Sequence, residues 1–250
     1  PRRNTEAPPV SPGSGKPIGN SAGAGRGGMT QSRKYGLSCD LYPHLDRRKK
    51  LWRAFEGEKR DAFIAKITPV DGKYRLNQGT LSCLQRDLPF YDDVTLICVQ
   101  DSSLIRSDLS FFYLSRGEEL FRLNGTSPPI HQVNKQAPIQ LNETNVADYL
   151  RFFCFFVRSK EGPFYIIEDH RDPLLPMKEP ELRKVAEGTA RPVTIDGRSD
   201  DGKILTSAVI WYSNAIFIAE LAVHATGNIE MLRDEPIAAD LPVKLDLPIA

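Results

Sequence analysis

The chain has 250 residues and a formal net charge of +1, and 40% of its residues are hydrophobic, 9% aromatic and 26% charged. This balance is typical of a soluble globular protein, and it argues against nucleic acid as a partner because bulk binding to phosphates requires a basic surface. No apolar run approaches the roughly 20 residues that a bilayer span requires, so the sequence predicts no membrane segment.

Residues 1–30 are predicted to form a flexible tail. The first 28 residues contain seven of the 18 glycines and five of the 19 prolines, and they carry four basic residues against one acidic residue. A segment with so few apolar side chains cannot bury enough area to offset the entropy lost on ordering. Met29 follows directly and is a candidate translation start. Residues 31–250 are predicted to form the globular part.

The first predicted helix of the globular part covers Pro43–Arg60, with Trp52 and Phe55 on its buried face. Ala62–Ile67 follows as a predicted strand, and Asp71-Gly72 is expected to turn it into a hairpin.

Four more strand signals follow before residue 124, and short connections join them. The predicted strands are Thr80–Leu84, Val94–Val99, Leu109–Leu114 and Leu120–Leu123. Asn124–Pro138 is rich in proline, asparagine and serine, which predicts a loop.

A nearly all-apolar helix is predicted over residues 146–157, with Asn142 or Thr144 as its N-terminal cap. Because apolar side chains occur on almost every side of this helix, it must lie between layers of structure and not on a surface. Phe164–Ile167 follows as a short buried strand, bounded by turn residues.

The remaining residues predict one short helix, Pro180–Glu187, and several strands. These strands are Arg191–Ile195, Lys203–Thr206, Ala208–Tyr212, Ala215–Val223 and Asn228–Leu232. Connections of hairpin length dominate, which predicts an α+β fold with mostly antiparallel sheet packed around the central apolar helix. A division into two lobes, 31–140 and 141–250, is left open.

The candidate catalytic residues are Glu168, Asp169 and His170, which directly follow the predicted strand over 164–167. Strand ends hold side chains rigidly, so carboxylates and an imidazole there could bind a divalent metal or act as acid and base. Asp92 or Asp93 would supply the second carboxylate group. A solvated charged turn has the same pattern, and the sequence does not choose between the two interpretations.

A second candidate site is the basic run Arg47, Arg48, Lys49 and Lys50, which could bind phosphates or an acidic partner. The alternative is the solvated face of a helix. The carboxylate-rich segment 196–202 lacks the glycine and the final glutamate of a calcium loop, so it is interpreted as a turn. No histidines occur at metal-ligand spacing, so neither a metal site nor a cofactor is predicted.

The cysteines Cys39, Cys83, Cys98 and Cys154 are widely spaced and contain no CxxC pair. Cys98 and Cys154 lie within apolar segments and are predicted to be buried thiols. Without a signal peptide to bring the chain to an oxidising compartment, the sequence predicts a reduced, cytoplasmic protein.

These observations predict a non-catalytic binding or interaction module with a protein partner. The alternative is a metal-assisted hydrolase or nuclease built on Glu168, Asp169 and His170. A third possibility is a small-ligand sensor with a pocket beside the central helix.

Overall fold

The computed structural model describes residues 36–46, 51–67, 74, 76–106, 109–176, 178–245, 247 and 249. The predicted tail, the predicted turn at Asp71-Gly72 and the basic run Arg47-Arg48-Lys49-Lys50 lie outside these ranges, so all three stay predictions. Within the described ranges, no helix combines the length and the apolar composition needed to cross a bilayer.

The predicted α+β class is confirmed, because the described residues form two antiparallel sheets and four α-helices. The helices are α1 (Gly57–Ile67), α2 (Pro128–Gln136), α3 (Val146–Phe156) and α4 (Pro180–Thr189). Three short 3-10 helices cover Ser38–Leu41, Pro43–Leu45 and Gln78–Thr80.

The first sheet is a meander in which the order of the strands in space follows the chain. Its strands are β1 (Arg53–Ala54), β2 (Leu81–Asp87), β3 (Thr95–Asp101), β4 (Ser110–Arg116) and β5 (Glu119–Leu123). All four pairs of neighbouring strands are antiparallel, as the short connections predict.

The second sheet has the order β11-β10-β9-β7-β6, and β8 pairs with β9 beside this path. Its strands are β6 (Arg158–Ser159), β7 (Gly162–Ile166), β8 (Thr194–Arg198), β9 (Ile204–Tyr212), β10 (Ala215–Val223) and β11 (Ile229–Ala238). The two strands predicted over 203–212 are one continuous strand, because residues 204–212 all pair with β10.

Both faces of the first sheet are covered by apolar packing, and alternate residues of each strand point to opposite faces. On β3, Ile97 and Val99 contact the cluster that includes α1, whereas Leu96 and Cys98 belong to the larger core. The first sheet therefore separates a small core under α1 from the main core of the protein.

Helix α3 lies between the two sheets, as its apolar composition predicts. Phe156 contacts Phe112 of the first sheet with ring centroids 4.9 Å apart, and Phe155 contacts Tyr165 of the second at 6.3 Å. The main core includes residues of both sheets. Helix α3 therefore contacts residues from both of the lobes, 31–140 and 141–250, that the sequence left open. The division into two lobes stays a prediction.

The predicted helix over Pro43–Arg60 is wrong. Pro43–Leu45 is a single 3-10 turn, and the chain is extended at Arg53–Ala54 before α1 begins. Gly57 has a φ of +72°, a conformation that interrupts a right-handed helix. The Nε1–H of Trp52 donates to the backbone oxygen of Asp40 at 3.0 Å. This bond holds the extended segment against the 3-10 helix Ser38–Leu41.

The predicted strand Ala62–Ile67 is also wrong, because these residues form the second half of α1. Phe63, Ile64 and Ile67 are buried, and this spacing places them on one face of a helix. A short apolar segment is compatible with either element, and here packing against the first sheet stabilises the helix.

The predicted loop Asn124–Pro138 contains α2. Pro128 and Pro129 occupy its first turn. Proline lacks a backbone N–H, and in the first turn of a helix this N–H would have no acceptor within the helix. Ile130 and Val133 lie three residues apart and are fully buried. Proline at this position starts a helix, although in the sequence it indicated a loop.

A buried polar network joins α2, α3 and the turn between β10 and β11. The side chain of Asn134 donates to Tyr149 Oη at 3.2 Å and to the backbone oxygen of Thr226 at 3.1 Å. Tyr149 in turn donates to the oxygen of Gly227 at 2.6 Å, and Tyr91 donates to Asn134. These contacts satisfy polar groups that would otherwise be costly to bury.

The network leaves no room for a side chain at residue 227. Gly227 has a φ of +81°, and an added Cβ would lie 2.5 Å from Tyr149 Oη. Gly202 has the same φ of +81° but nothing within 4 Å of an added Cβ. An alanine at residue 202 would therefore meet only backbone strain, whereas an alanine at residue 227 would meet the same strain and a steric conflict.

We expect Gly202→Ala to lower the free energy of unfolding by about 1–2 kcal/mol through backbone strain alone. Gly227→Ala should lower it by a further ~1–3 kcal/mol, because the new methyl group must displace Tyr149 and Asn134. Urea denaturation of both variants measures the difference. Equal losses would show that the turn can move away from the network.

Candidate functional site

Glu168, the first candidate catalytic residue, is buried in an ion pair. Arg151 on α3 donates to it from Nε at 2.5 Å and from Nη2 at 2.9 Å. The backbone N–H of Val193 donates to the same carboxylate at 3.1 Å. Both side chains are almost inaccessible, at 3% for Arg151 and 2% for Glu168.

Arg151 also binds Asp148 through Nη1 at 2.7 Å, so two carboxylates neutralise one guanidinium. Burial lowers the pKa of Arg151, but the hydrogen bonds and charges of Glu168 and Asp148 outweigh burial and raise it above its usual value. The guanidinium is therefore charged at neutral pH. A bidentate pair of this kind joins α3 to the segment after β7.

Asp169 is buried as well, and the next residues hold its carboxylate. Arg171 donates to it from the backbone N–H at 3.0 Å and from the side chain at 3.2 Å. His170 is different, because its side chain is 45% exposed and its Nδ1 lies 3.8 Å from Asp169. The nearby Asp172 accepts from Tyr165 Oη at 2.8 Å.

Asp92 and Asp93, the proposed second carboxylate group, make separate contacts on the surface. Gln140 donates to Asp92, and Arg116 donates to Asp93 at 2.8 Å. Among the residues that the structure describes, no group of three or more His, Cys, Asp or Glu side chains could hold a metal ion. Glu168 and Asp169 thus bind different partners, Arg151 and Arg171, and neither belongs to a described group that could hold a metal ion.

The alternative interpretation of residues 168–170, a solvated charged turn, is wrong for Glu168 and Asp169. The sequence placed them correctly after a buried strand, but it contained no local signal of their burial. A distant signal was present in Arg151, which is the single basic residue within the apolar segment 146–157. A lone arginine in a buried helix requires a buried acidic partner.

Glu168→Gln should lower the free energy of unfolding by about 3–5 kcal/mol, because it leaves the buried Arg151 without its main counter-charge. The matched control is Glu161→Gln. Glu161 pairs with Lys244 at 3.0 Å, and both side chains are more than half exposed, so this change should cost under about 1 kcal/mol.

A double variant distinguishes the effect of an unpaired charge on stability from the effect of lost packing at Arg151 and Glu168. Replacing Arg151→Met together with Glu168→Leu should recover part of the stability lost in the single variant, because no unpaired charge remains. Chemical denaturation of the three variants checks this. A stable Glu168→Gln single variant would contradict the assignment of a structural role to this pair.

The four cysteines are buried and form no disulfide, which confirms the predicted burial of Cys98 and Cys154. Burial raises the pKa of Cys83 to about 11, partly opposed by the charge of Arg60. Burial also raises the pKa of Cys154 to about 12, and it raises that of Cys98. The thiolate is the reactive form, so these residues are poor nucleophiles at neutral pH.

Cys83, Cys98 and Cys154 should react slowly with an aromatic disulfide reagent at pH 8 in the native protein, and rapidly in denaturant. Because the folded pKa values are raised, the contribution of these thiols to stability is fully present below pH 9. It should be lost as pH rises toward 11–12, where the native thiols ionise. Rapid native labelling at pH 8 would show that a cysteine lies at an accessible site.

An open groove runs along α1, between this helix and the first sheet, and its volume is about 390 Å³. We call it the α1 groove. On the helix side it is lined by Phe55, Lys59, Ala62, Phe63 and Lys66. On the sheet side it is lined by Gln85, Thr95, Ile97, Ser115, Glu118 and Leu120.

The sheet side of the α1 groove crosses four strands at one end of the sheet. Gln85 on β2 is opposite Ile97 on β3. Thr95 on β3 is opposite Ser115 on β4, which is opposite Leu120 on β5. Gln85, Thr95, Ser115 and Leu120 are partly exposed on this sheet face, whereas Ile97 is buried.

The charges of the α1 groove are unequal. Lys66 forms an ion pair with Glu118, and the hydrogen bond and charge of this lysine lower the pKa of Glu118. Lys59 is exposed and forms no ion pair with a described residue. The groove therefore carries one cation in excess, beside an apolar floor.

Strand β11 is a second surface with exposed apolar side chains. Met231 and Leu232 are 43% and 52% exposed on this edge strand. However, β11 contains two register shifts against β10, and Pro236 and several charged residues follow Leu232. Bulges, proline and charges on an edge strand hinder pairing with a further strand. The α1 groove is thus the stronger candidate site.

No protein-family model, no curated protein and no solved structure matches this chain. The sequence did not identify the α1 groove, because its helix side comes from two segments that were predicted as parts of another helix and of a strand. The signal that could have found it is the spacing of Lys59, Phe63 and Lys66 by four and three residues, which places two lysines and an aromatic side chain along one face of a helix.

Proposed function

We propose that this chain is a non-catalytic binding module that recognises a protein partner through the α1 groove. The observation that carries this proposal is the combination of an open groove, the apolar side chains of Phe55, Ile97 and Leu120 in its lining, and Lys59, which forms no ion pair with a described residue. Sites that bind a partner have a partly apolar centre with polar groups at the rim.

The roles of the buried charged residues support a non-catalytic module. Both carboxylate oxygens of Glu168 accept hydrogen bonds from Arg151, and one also accepts from Val193. A carboxylate that accepts three hydrogen bonds, two of them from a buried guanidinium, and is shielded from solvent is poorly placed to bind a metal or to take a proton from a substrate. The metal-assisted hydrolase is thereby the weaker proposal, and no contact of the described residues favours it.

We also propose that the protein works in a reducing environment, in line with the cytoplasmic location predicted from the sequence. The four buried cysteines support it, because none forms a disulfide although the chain contains enough thiols for two.

Two measurements on the full chain test the proposed function. A random peptide library displayed on phage should converge on a consensus after selection against the chain, because a preformed groove selects a limited set of side chains. Calorimetric titration with Mg²⁺, Mn²⁺ and Zn²⁺ should show no stoichiometric binding. Selection without convergence would contradict the binding module, and tight binding of a metal that Asp169→Asn abolishes would favour the hydrolase.

A further inference from the structure

We infer that the α1 groove binds an extended, acidic segment of the partner protein, about four residues long, with one apolar side chain on its floor. The inference rests on the proposed function and specifies the chemistry of the partner. Three features of the groove lead to it: its length, its floor and its charge.

The length of the groove fits an extended chain. Its sheet side includes residues of β2, β3, β4 and β5. Neighbouring strands lie about 4.8 Å apart, so three spacings span about 14 Å. An extended segment advances about 3.3 Å per residue, and about four residues therefore cover this distance. A compact small molecule would fill only part of it.

The floor of the groove accepts one apolar side chain. Phe55 is partly buried and contacts the fully packed Phe63 edge to face, with ring centroids 5.6 Å apart. Ile97 and Leu120 complete an apolar surface between the polar side chains of the strands. An aromatic or large aliphatic side chain would displace water from these groups, which is the usual source of affinity at the centre of an interface.

The charge of the groove favours an acidic segment. Lys66 is already neutralised by Glu118, which leaves Lys59 to bind a carboxylate of the partner. The N-terminal residues of the chain itself are a poor fit, because residues 1–28 contain four basic residues and only Glu6 as an acidic one. Complementary charge steers the encounter and excludes basic segments.

Chain positions 62 and 65 provide a matched pair of variants for the test. Ala62 and Ala65 are both exposed on α1, but only Ala62 lines the groove. Ala62→Trp should fill the groove, whereas Ala65→Trp adds the same side chain outside it. For the charge, Lys59→Glu is matched by Lys160→Glu, since Lys160 is exposed in the turn between β6 and β7.

The probe is a fluorescein-labelled pentapeptide with a central phenylalanine between four glutamates, and its counterpart carries four lysines. Fluorescence anisotropy with the full chain should show binding of the glutamate peptide and weaker binding of the lysine peptide. Ala62→Trp should abolish measurable binding while Ala65→Trp retains it. Lys59→Glu should weaken binding by about tenfold at low salt, with Lys160→Glu unchanged, and added salt should reduce this difference.

Thermal melting of each variant verifies that the fold is intact. The inference is overturned if neither peptide binds, if the lysine peptide binds more tightly, or if Ala62→Trp and Ala65→Trp behave alike in folded protein. These results are distinct from failure of the proposed function. If the phage consensus is not acidic, or if its peptides bind away from Ala62, the proposal of a binding module stands and only the inference of an acidic segment in the α1 groove fails.

Discussion

Helix α3 is buried on almost every side, and this places a strong constraint on the rest of the structure. A helix of this kind needs apolar partners on opposite sides, and the two sheets supply them through Phe112 and Tyr165. The exception is Arg151, whose long side chain cannot reach water from this position. The buried carboxylate of Glu168 is the consequence, because an unpaired guanidinium in the core would cost several kcal/mol.

The ion pair of Arg151 and the hydrogen-bond network of Tyr149 act on different sides of α3, because the two residues are two positions apart on the helix. Arg151 joins the helix to the segment after β7, and Tyr149 joins it to α2 and to the turn at Gly227. Apolar contacts alone have little directional preference, whereas hydrogen bonds of this geometry select one rotation of the helix about its axis. Polar groups in the core thus determine how α3 is oriented between the two sheets.

The open surface of the protein is found where this packing does not reach. The main core uses one face of the first sheet, and α1 covers the opposite face only in part. A helix of 11 residues is about 16 Å long, whereas the four spacings between the five strands of the sheet add up to about 19 Å. The residual space is the α1 groove, and its lysines come from the solvent side of the same helix.

Local side-chain patterns in the sequence were sufficient for α3, for the strands β2 to β5 and for the α+β class. In these segments the apolar residues recur at the spacing of one kind of element, so their period distinguishes a helix from a strand. Only the tertiary structure decided that Ala62–Ile67 is helical, that Pro128 starts a helix and that Glu168 is buried. The physical reason is distance along the chain: Arg151 and Glu168 are 17 residues apart, and the groove joins α1 to strands as far away as Leu120. Such contacts depend on how the elements pack, which no local period encodes.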